Sequence, residues 1–119
     1  MKFDSSQPIW QQLVADFTRR IIIEEWLPGQ KVPSTRELAL EYQVNPNTVQ
    51  RALSELDRVG MTHSERTSGR FVASDSSRVQ TLRTESAAEV IDEAIAKLQA
   101  IGISCPDAAQ LLQTRWEKS

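Results

Sequence analysis

The chain has 119 residues, enough for one ordinary domain or for a small domain with an appendage. Its composition is typical of a soluble globular protein, and no apolar run approaches the roughly 20 residues of a membrane span. The N-terminus lacks the apolar segment of a signal peptide, and Cys105 and His63 are the only cysteine and histidine. We therefore expect a cytoplasmic protein with no disulfide, metal site or cofactor.

The net charge of −2 excludes a uniformly basic body. Residues 1–73 hold nine Lys/Arg and nine Asp/Glu, so they are neutral, and residues 74–119 carry the net charge of −2. From Tyr42 to Ser54 there is no carboxylate. A protein that reads one nucleic-acid site needs a local positive patch rather than an overall basic charge, so the composition permits nucleic-acid binding without requiring it.

The pattern after Pro8 predicts a first helix that ends at Pro28-Gly29, after Trp26. Its buried face follows 3-4 spacing and comprises Ile9, Leu13, Phe17, Ile21 and Ile22.

Two further helix starts lie eleven residues apart. Ser34 precedes Glu37 by three residues, which is a capping box, and Asn45 precedes Pro46, an N-cap followed by proline at the first helical position. These signals predict helices over 34–42 and 46–59, broken at Gln43 and Val44. The residues predicted to face inward are Leu38, Leu40 and Tyr42 in the first of these helices and Val49, Ala52, Leu53, Leu56 and Val59 in the second. Gly60 is expected to end the second helix as a C′ glycine, with a left-handed backbone. Such a pair is typical of a helix-turn-helix, which indicates DNA as the partner.

The periodicity then changes to two short strands, 61–65 and 70–73, with a turn at 67–69. Three helices and a hairpin predict a winged helix-turn-helix over residues 1–74. The fold class is therefore mainly α with a small β-hairpin.

Residues 74–77 are predicted to be a polar linker. The pattern of residues 75–119 predicts a two-helix dimerisation tail, which begins within that linker. Residues 87, 91, 94, 98 and 101 follow heptad-like steps, Gly102 ends the first helix, and Ser104 with Asp107 caps the second. Two helices of this size cannot bury enough surface alone, so we expect a second chain to cover them; docking within one chain is the alternative. The predicted dimerisation residues are Val90, Ile91, Ala94, Ile95, Leu98, Ile101, Leu111, Leu112 and Trp116.

From Pro8 to Ala73 the chain resembles the GntR family of bacterial transcriptional regulators. The resemblance lies in Pro8-Ile9-Trp10-Gln11-Gln12, in residues 27–39 and 44–52, in Leu56 and Gly60, and in Gly69-Arg70-Phe71-Val72. The tail resembles that of the YtrA-type subfamily. Trp10 stands where the family usually has Tyr. The stretch 65–69 stands where the family's wing usually reads Arg-Arg-Gly-x-Gly, so one arginine and one glycine of that pattern are missing.

The resemblance implies DNA contacts by Ser34, Thr35, Arg36 and Gly69. Asn45, Asn47, Thr48 and Gln50 begin the third helix with groups that can bond base edges or phosphates, although Asn45 also caps that helix. Arg51 could reach phosphate or guanine, and Arg66 and Arg70 flank the hairpin turn where a wing meets DNA. Three alternatives remain open: Arg36 paired with Glu37 or Glu41, Arg51 paired with Glu55, and an ordinary charged hairpin.

The sequence thus predicts a homodimeric, sequence-specific transcriptional regulator, in the simplest case a repressor, on an inverted-repeat operator of double-stranded DNA. One alternative is a ligand-responsive sensor with an effector site at the dimer interface, and another is a winged helix used for protein contacts. An enzyme is disfavoured because the sequence offers no histidine–nucleophile pair, phosphate-binding glycine loop or metal cluster.

Overall fold

The computed structural model describes residues 2–119, apart from the side chain of Ser76. In chain order its elements are α1 (Ile9–Ile22), α2 (Thr35–Tyr42), α3 (Pro46–Arg58), β1 (Thr62–Glu65), β2 (Gly69–Val72), α4 (Ser76–Ala100) and α5 (Cys105–Lys118). The chain is mainly helical with one antiparallel hairpin, so the winged helix-turn-helix predicted from the sequence is confirmed.

The first helix begins after Pro8 as predicted but ends at Ile22 rather than at Pro28-Gly29. The backbone carbonyl of Arg20 accepts the N–H groups of Glu25 and Trp26, at 2.8 and 3.0 Å, and Glu24 adopts a left-handed φ of 60°. This turn packs Trp26 onto Phe17 with their ring centroids 5.4 Å apart. The apolar pattern continues through Ile23, so periodicity alone could not reveal the break.

Both predicted caps of the helix-turn-helix are present. The Ser34 side chain accepts the Glu37 N–H while the Glu37 carboxylate accepts the Ser34 N–H, and the Asn45 side chain accepts the Asn47 N–H. Between the helices Gln43 takes a left-handed φ of 56°, which reverses the chain in a short turn. This turn fixes α3 against α2 and leaves the first residues of α3 exposed.

The core of the winged domain lies between α1, α2 and α3, and residues of the loop before α2, of the wing and of the start of α4 complete it. Two positions predicted to face inward are corrected: Leu40 is 75% exposed and Ile9 is 42% exposed. In α2 the buried face comprises Leu38, Ala39 and Tyr42, because positions spaced by four share a face and Ala39 occupies the place expected for Leu40. The largest fully buried side chains are Phe17, Leu13, Ile21, Leu38, Leu53, Leu56, Met61, Val49 and Val72.

The hairpin pairs Thr62 with Val72 and Glu65 with Gly69. Residues 29–32 add a third line of backbone hydrogen bonds on the outer side of β2. The Val32 N–H donates to the Arg70 carbonyl at 2.8 Å, and the Val72 N–H donates to the Gln30 carbonyl at 2.9 Å. The sequence did not reveal this segment, which anchors the wing to the loop before α2.

The chain separates into two compact units, one up to Leu82 and one of Arg83–Ser119. The first two turns of α4 belong to the first unit, where Val79 is buried and Leu82 packs against the core. Arg78 also donates to the backbone carbonyl of Val59, at 2.8 Å from one guanidinium nitrogen.

In the second unit α4 ends near Gly102, which has a φ of 77°, and the Ser104 side chain caps α5 by accepting the Asp107 N–H. Both predicted signals are therefore present. Seven large apolar side chains of this unit are exposed by 45 to 74% of their surface, and they are Val90, Ile91, Ile95, Ile101, Leu111, Leu112 and Trp116. Leu98 is half-buried and Ala94 is exposed. Exposed apolar surface of this kind commonly marks an interaction site.

Candidate nucleic-acid interface

The exposed face of α3 carries three of the residues predicted to contact DNA. Asn47, Gln50 and Arg51 are exposed, whereas Thr48 is half-buried. Asn45 is exposed and its side-chain oxygen caps the helix, so this oxygen already has one hydrogen-bond partner. The remaining face of α3 is buried in the core, and this leaves a polar surface without carboxylates at the helix start.

Hydrogen bonds link the first residue of α2 to α3. The Thr35 hydroxyl donates to the Gln50 side-chain oxygen at 3.1 Å, and the Gln50 amide nitrogen donates to the Ser54 hydroxyl at 3.4 Å. The chain of bonds therefore holds the Gln50 amide in one orientation, with one amide N–H left for a further acceptor. A preorganised amide is suited to reading a base edge.

Arg36 lies exposed in the first turn of α2. Its two alternative partners are engaged elsewhere: Glu37 belongs to the capping box, and Glu41 accepts from Arg20 at 2.8 Å. Within the described part of the chain, no ion pair involves Arg36. Its guanidinium is therefore available to a phosphate beside the start of α2.

Arg51 does not form the alternative salt bridge with Glu55, because Glu55 pairs with Arg58. Instead the Arg51 guanidinium lies over the indole ring of Trp10, 4.2 Å from the ring centroid. Trp10 is half-buried in the first turn of α1. The sequence did not indicate this contact, since it joins residues far apart in the chain.

A further cation, Lys31, lies beside the wing. A Cβ atom added to Gly69, which has a φ of 109°, would lie 2.8 Å from the Cε atom of Lys31, so glycine leaves room for this lysine. Lys31 was not among the predicted residues; its exposed position beside a wing could be found only from the pairing of 29–32 with β2. Arg66 is exposed in the turn between β1 and β2.

An open groove of about 690 Å³ separates the wing from the start of α2. It brings together four predicted residues and the unforeseen lysine: Ser34, Thr35, Gly69, Arg70 and Lys31. The groove therefore joins the α2 part of the predicted site to the wing part.

Arg70, predicted to contact DNA, has a structural role within the winged domain. Its side chain is only 15% exposed and donates to both carboxylate oxygens of Asp57 in α3, at 3.1 to 3.2 Å. Asp57 also accepts from the hydroxyl groups of Thr62 and Ser64. One carboxylate thus ties the end of α3 to both strands of the wing, and we leave Arg70 out of the proposed interface.

The pKa of Asp57 lies below its usual value. Partial burial by itself raises this pKa, but the hydrogen bonds from Arg70, Thr62 and Ser64, with the charge of Arg70, outweigh that effect. The ionised carboxylate is therefore the form that holds the wing.

Asp57→Asn is expected to lower the free energy of unfolding by about 1–3 kcal/mol at neutral pH, because the amide keeps the shape but loses charge-assisted bonds. The lowered folded-state pKa means that this stabilisation is present above the unfolded value of about 3.9 and is lost as the pH falls through the folded-state pKa. Urea unfolding at fixed protein concentration, from neutral pH to below about pH 4, should show the difference from wild type shrinking in acid. Asp92→Asn, at an exposed position of α4, is the control. A difference in unfolding free energy between Asp57→Asn and wild type that does not change with pH would contradict the role of the ionised carboxylate.

A second polar cluster joins α1 to α2 on the winged domain. The Tyr42 hydroxyl donates to the Asp16 carboxylate, and Arg20 pairs with Glu25 and Glu41. Burial and the bond to Asp16 raise the pKa of Tyr42 to about 12. Because these groups bond one another, we assign them a structural role.

The described residues contain no group of three or more His, Cys, Asp or Glu that could hold a metal ion. None of the helices over residues 2–119 is both long and apolar enough to cross a membrane.

Comparison with known proteins identifies the family to which the chain belongs. Residues 10–72 match the family model described as bacterial regulatory proteins, gntR family. The chain is 34% identical over 113 residues to the HTH-type transcriptional regulator YhcF of Bacillus subtilis (strain 168), covering 95% of this chain and 93% of YhcF. It is also 34% identical over 94 residues to the HTH-type transcriptional repressor YtrA of the same strain, covering 79% of this chain and 70% of YtrA.

Solved structures show the same architecture. A GntR family transcriptional regulator from Listeria monocytogenes superposes with a TM-score of 0.88 at 29% identity, covering 94% of this chain and 98% of that one. The DNA-binding domain of AraR, solved in complex with operator ORR3, superposes with a TM-score of 0.55 at 27% identity, covering 61% of this chain and 88% of that one. The chain is a transcriptional regulator of the gntR family of bacterial regulatory proteins, of the YtrA type, with a winged helix-turn-helix DNA-binding domain.

Proposed function

We propose that the protein is a homodimeric repressor, acting in the cytoplasm without a cofactor, which binds an inverted-repeat DNA operator. Residues 1–74 read the DNA and residues 75–119 join the two chains. The observation that carries the proposal is the polar, carboxylate-free start of α3, which is positioned by the turn at Gln43 and by the bond from Thr35 to Gln50.

Each monomer places α3 in a major groove in this proposal. Asn47 and Gln50 approach base edges, while Arg36 and Lys31 approach phosphates on the side of the wing. Arg66 reaches the adjacent backbone or minor groove from the hairpin turn. Support for this arrangement comes from the exposure of these side chains and from the AraR relative, whose matching domain was solved on an operator.

The tail supports dimerisation through its uncovered apolar surface. Six large apolar side chains of α4 and α5, and Ile101 in the turn between them, are exposed, which is costly in water unless a partner covers them. A second copy offers a matching surface because a two-fold axis places the same patch on both sides of the contact. Two linked winged domains then bind the operator more tightly than one, since the second DNA contact becomes intramolecular.

Repression is the regulatory sign we propose, because a protein seated across a promoter obstructs transcription and because the YtrA relative is named a repressor. A reporter promoter carrying the bound site tests this sign, and loss of expression is the expected result.

Selection of bound duplexes from a random DNA pool tests the function itself. We expect one enriched sequence whose affinity falls steeply with salt, by a slope of about −0.9 for each phosphate contact. A pool without enrichment, or binding that salt leaves unchanged, would instead support a winged helix used for protein contacts.

A further inference from the structure

The winged domain contains two arginine–tryptophan stacks that differ in how the arginine is used. The Arg20 guanidinium lies 4.5 Å from the centroid of Trp26, and its side chain is also bonded to Glu25, Glu41 and Tyr42. That guanidinium is consumed by structural contacts, and its side chain is only 14% exposed.

Arg51 has the stack without the carboxylates. Its guanidinium lies 4.2 Å from the Trp10 centroid, the residue is exposed, and no ion pair of Arg51 exists among the described residues. Stacking covers one face of the planar guanidinium and leaves the N–H donors along its edge free. An arginine held in place with unused donors is prepared for an acceptor outside the chain.

The position of Arg51 on α3 indicates which acceptor. Gln50 and Arg51 are separated by about 100° around the helix, so they flank its exposed face on opposite sides. Gln50 is bonded to Thr35 on the α2 side, and Arg51 is drawn toward Trp10 on the α1 side. The part of α3 that is proposed to enter the major groove of DNA lies between these two side chains, where Asn47 is exposed. A cation at the flank of that face meets the sugar-phosphate backbone along the groove edge.

We infer that Trp10 is a positioning residue, whose indole ring holds the Arg51 guanidinium at the α1 flank of α3 for contact with a DNA phosphate. The inference rests on the proposed DNA-binding function. Trp10 itself does not touch the DNA. Its contribution is to reduce the freedom that a long arginine side chain loses on binding.

The test is a double-variant cycle on the duplex that wild-type protein selects from a random pool. Dissociation constants are measured over a salt series for wild type, Trp10→Leu, Arg51→Met, the double variant and Trp10→Phe. Leucine keeps most of the apolar bulk of the half-buried Trp10 without a π face, whereas phenylalanine keeps an aromatic face. Thermal midpoints of all five proteins control for folding.

Trp10→Leu is expected to weaken binding about 2- to 5-fold for each half-site, while Trp10→Phe retains most of the affinity. Arg51→Met should weaken binding to all single-base variants of the duplex alike and should reduce the salt slope by about one for each half-site. In the Arg51→Met background, Trp10→Leu should have no further effect on affinity.

Losses that multiply in the double variant would overturn the positioning role, because Trp10 would then act independently of Arg51. A loss on Arg51→Met that is confined to one base pair would overturn the phosphate contact. If wild-type protein selects no duplex, the proposed function itself fails; if it selects one and the losses multiply, this inference alone fails.

Discussion

Ala94→Glu is expected to make the protein monomeric and to weaken operator binding by about 100-fold or more. The proposed two-fold interface would bury this glutamate from both chains, and an unpaired buried charge costs about 3–5 kcal/mol. Sedimentation velocity at micromolar concentration measures the mass, and a gel-shift titration measures the affinity. The mass and the affinity should fall together if the tail joins the two winged domains.

Ala96→Glu provides a matched control, because it makes the same change two residues further along the same helix, outside the heptad-like stripe. Both alanines are exposed in the single chain, so neither substitution should disturb the fold by itself. A dimeric Ala94→Glu protein, or equal effects of the two variants, would contradict the assignment of the stripe. A truncation with the same purpose must retain Leu82, because Val79 and Leu82 pack in the winged domain.

Asn47→Ala is expected to lower operator affinity by about 1–3 kcal/mol for each half-site, while the thermal midpoint stays near that of wild type. The Asn47 side chain is exposed at the start of α3, and the cap of that helix comes from Asn45 instead. The variant therefore separates DNA reading from helix capping, which an Asn45 variant cannot do. Fluorescence anisotropy with labelled operator measures the change.

Gln99→Ala on α4 removes an exposed amide outside both proposed interfaces and serves as the control. The loss on Asn47→Ala should also depend on the base pair, being largest on the wild-type operator and smaller on one single-base variant. Wild-type affinity in the Asn47→Ala protein would refute the role of this residue in the recognition helix.

Local signals predicted most of the fold. The capping box at Ser34, the Asn45-Pro46 start and the positive φ of Gly60 each depend on neighbouring residues, and all three occur where expected. The hairpin was found because the helical period stops after Gly60. Boundaries and faces set by distant contacts were predicted less well, as the early end of α1 and the exposed Leu40 show.

The candidate site shows the same division. Exposure of Asn47, Gln50 and Arg51 follows from their place off the apolar stripe, which the sequence contains. Pairing of Arg70 with Asp57, stacking of Arg51 on Trp10 and the approach of Lys31 to Gly69 all join segments that are distant in sequence. Residue type and spacing could not distinguish an arginine bonded to the protein from one available to DNA.

The symmetry of the DNA that wild-type protein selects from a random pool tests the central claim most directly. Two identical winged domains, joined by tails that pair about a two-fold axis, predict an inverted repeat. The centres of its half-sites should lie one helical turn of about 34–36 Å apart, or a multiple of it. Protection of both half-sites at the same protein concentration should accompany that sequence. Enrichment of a single asymmetric site, or of a direct repeat, would contradict a symmetric dimer that reads DNA through α3.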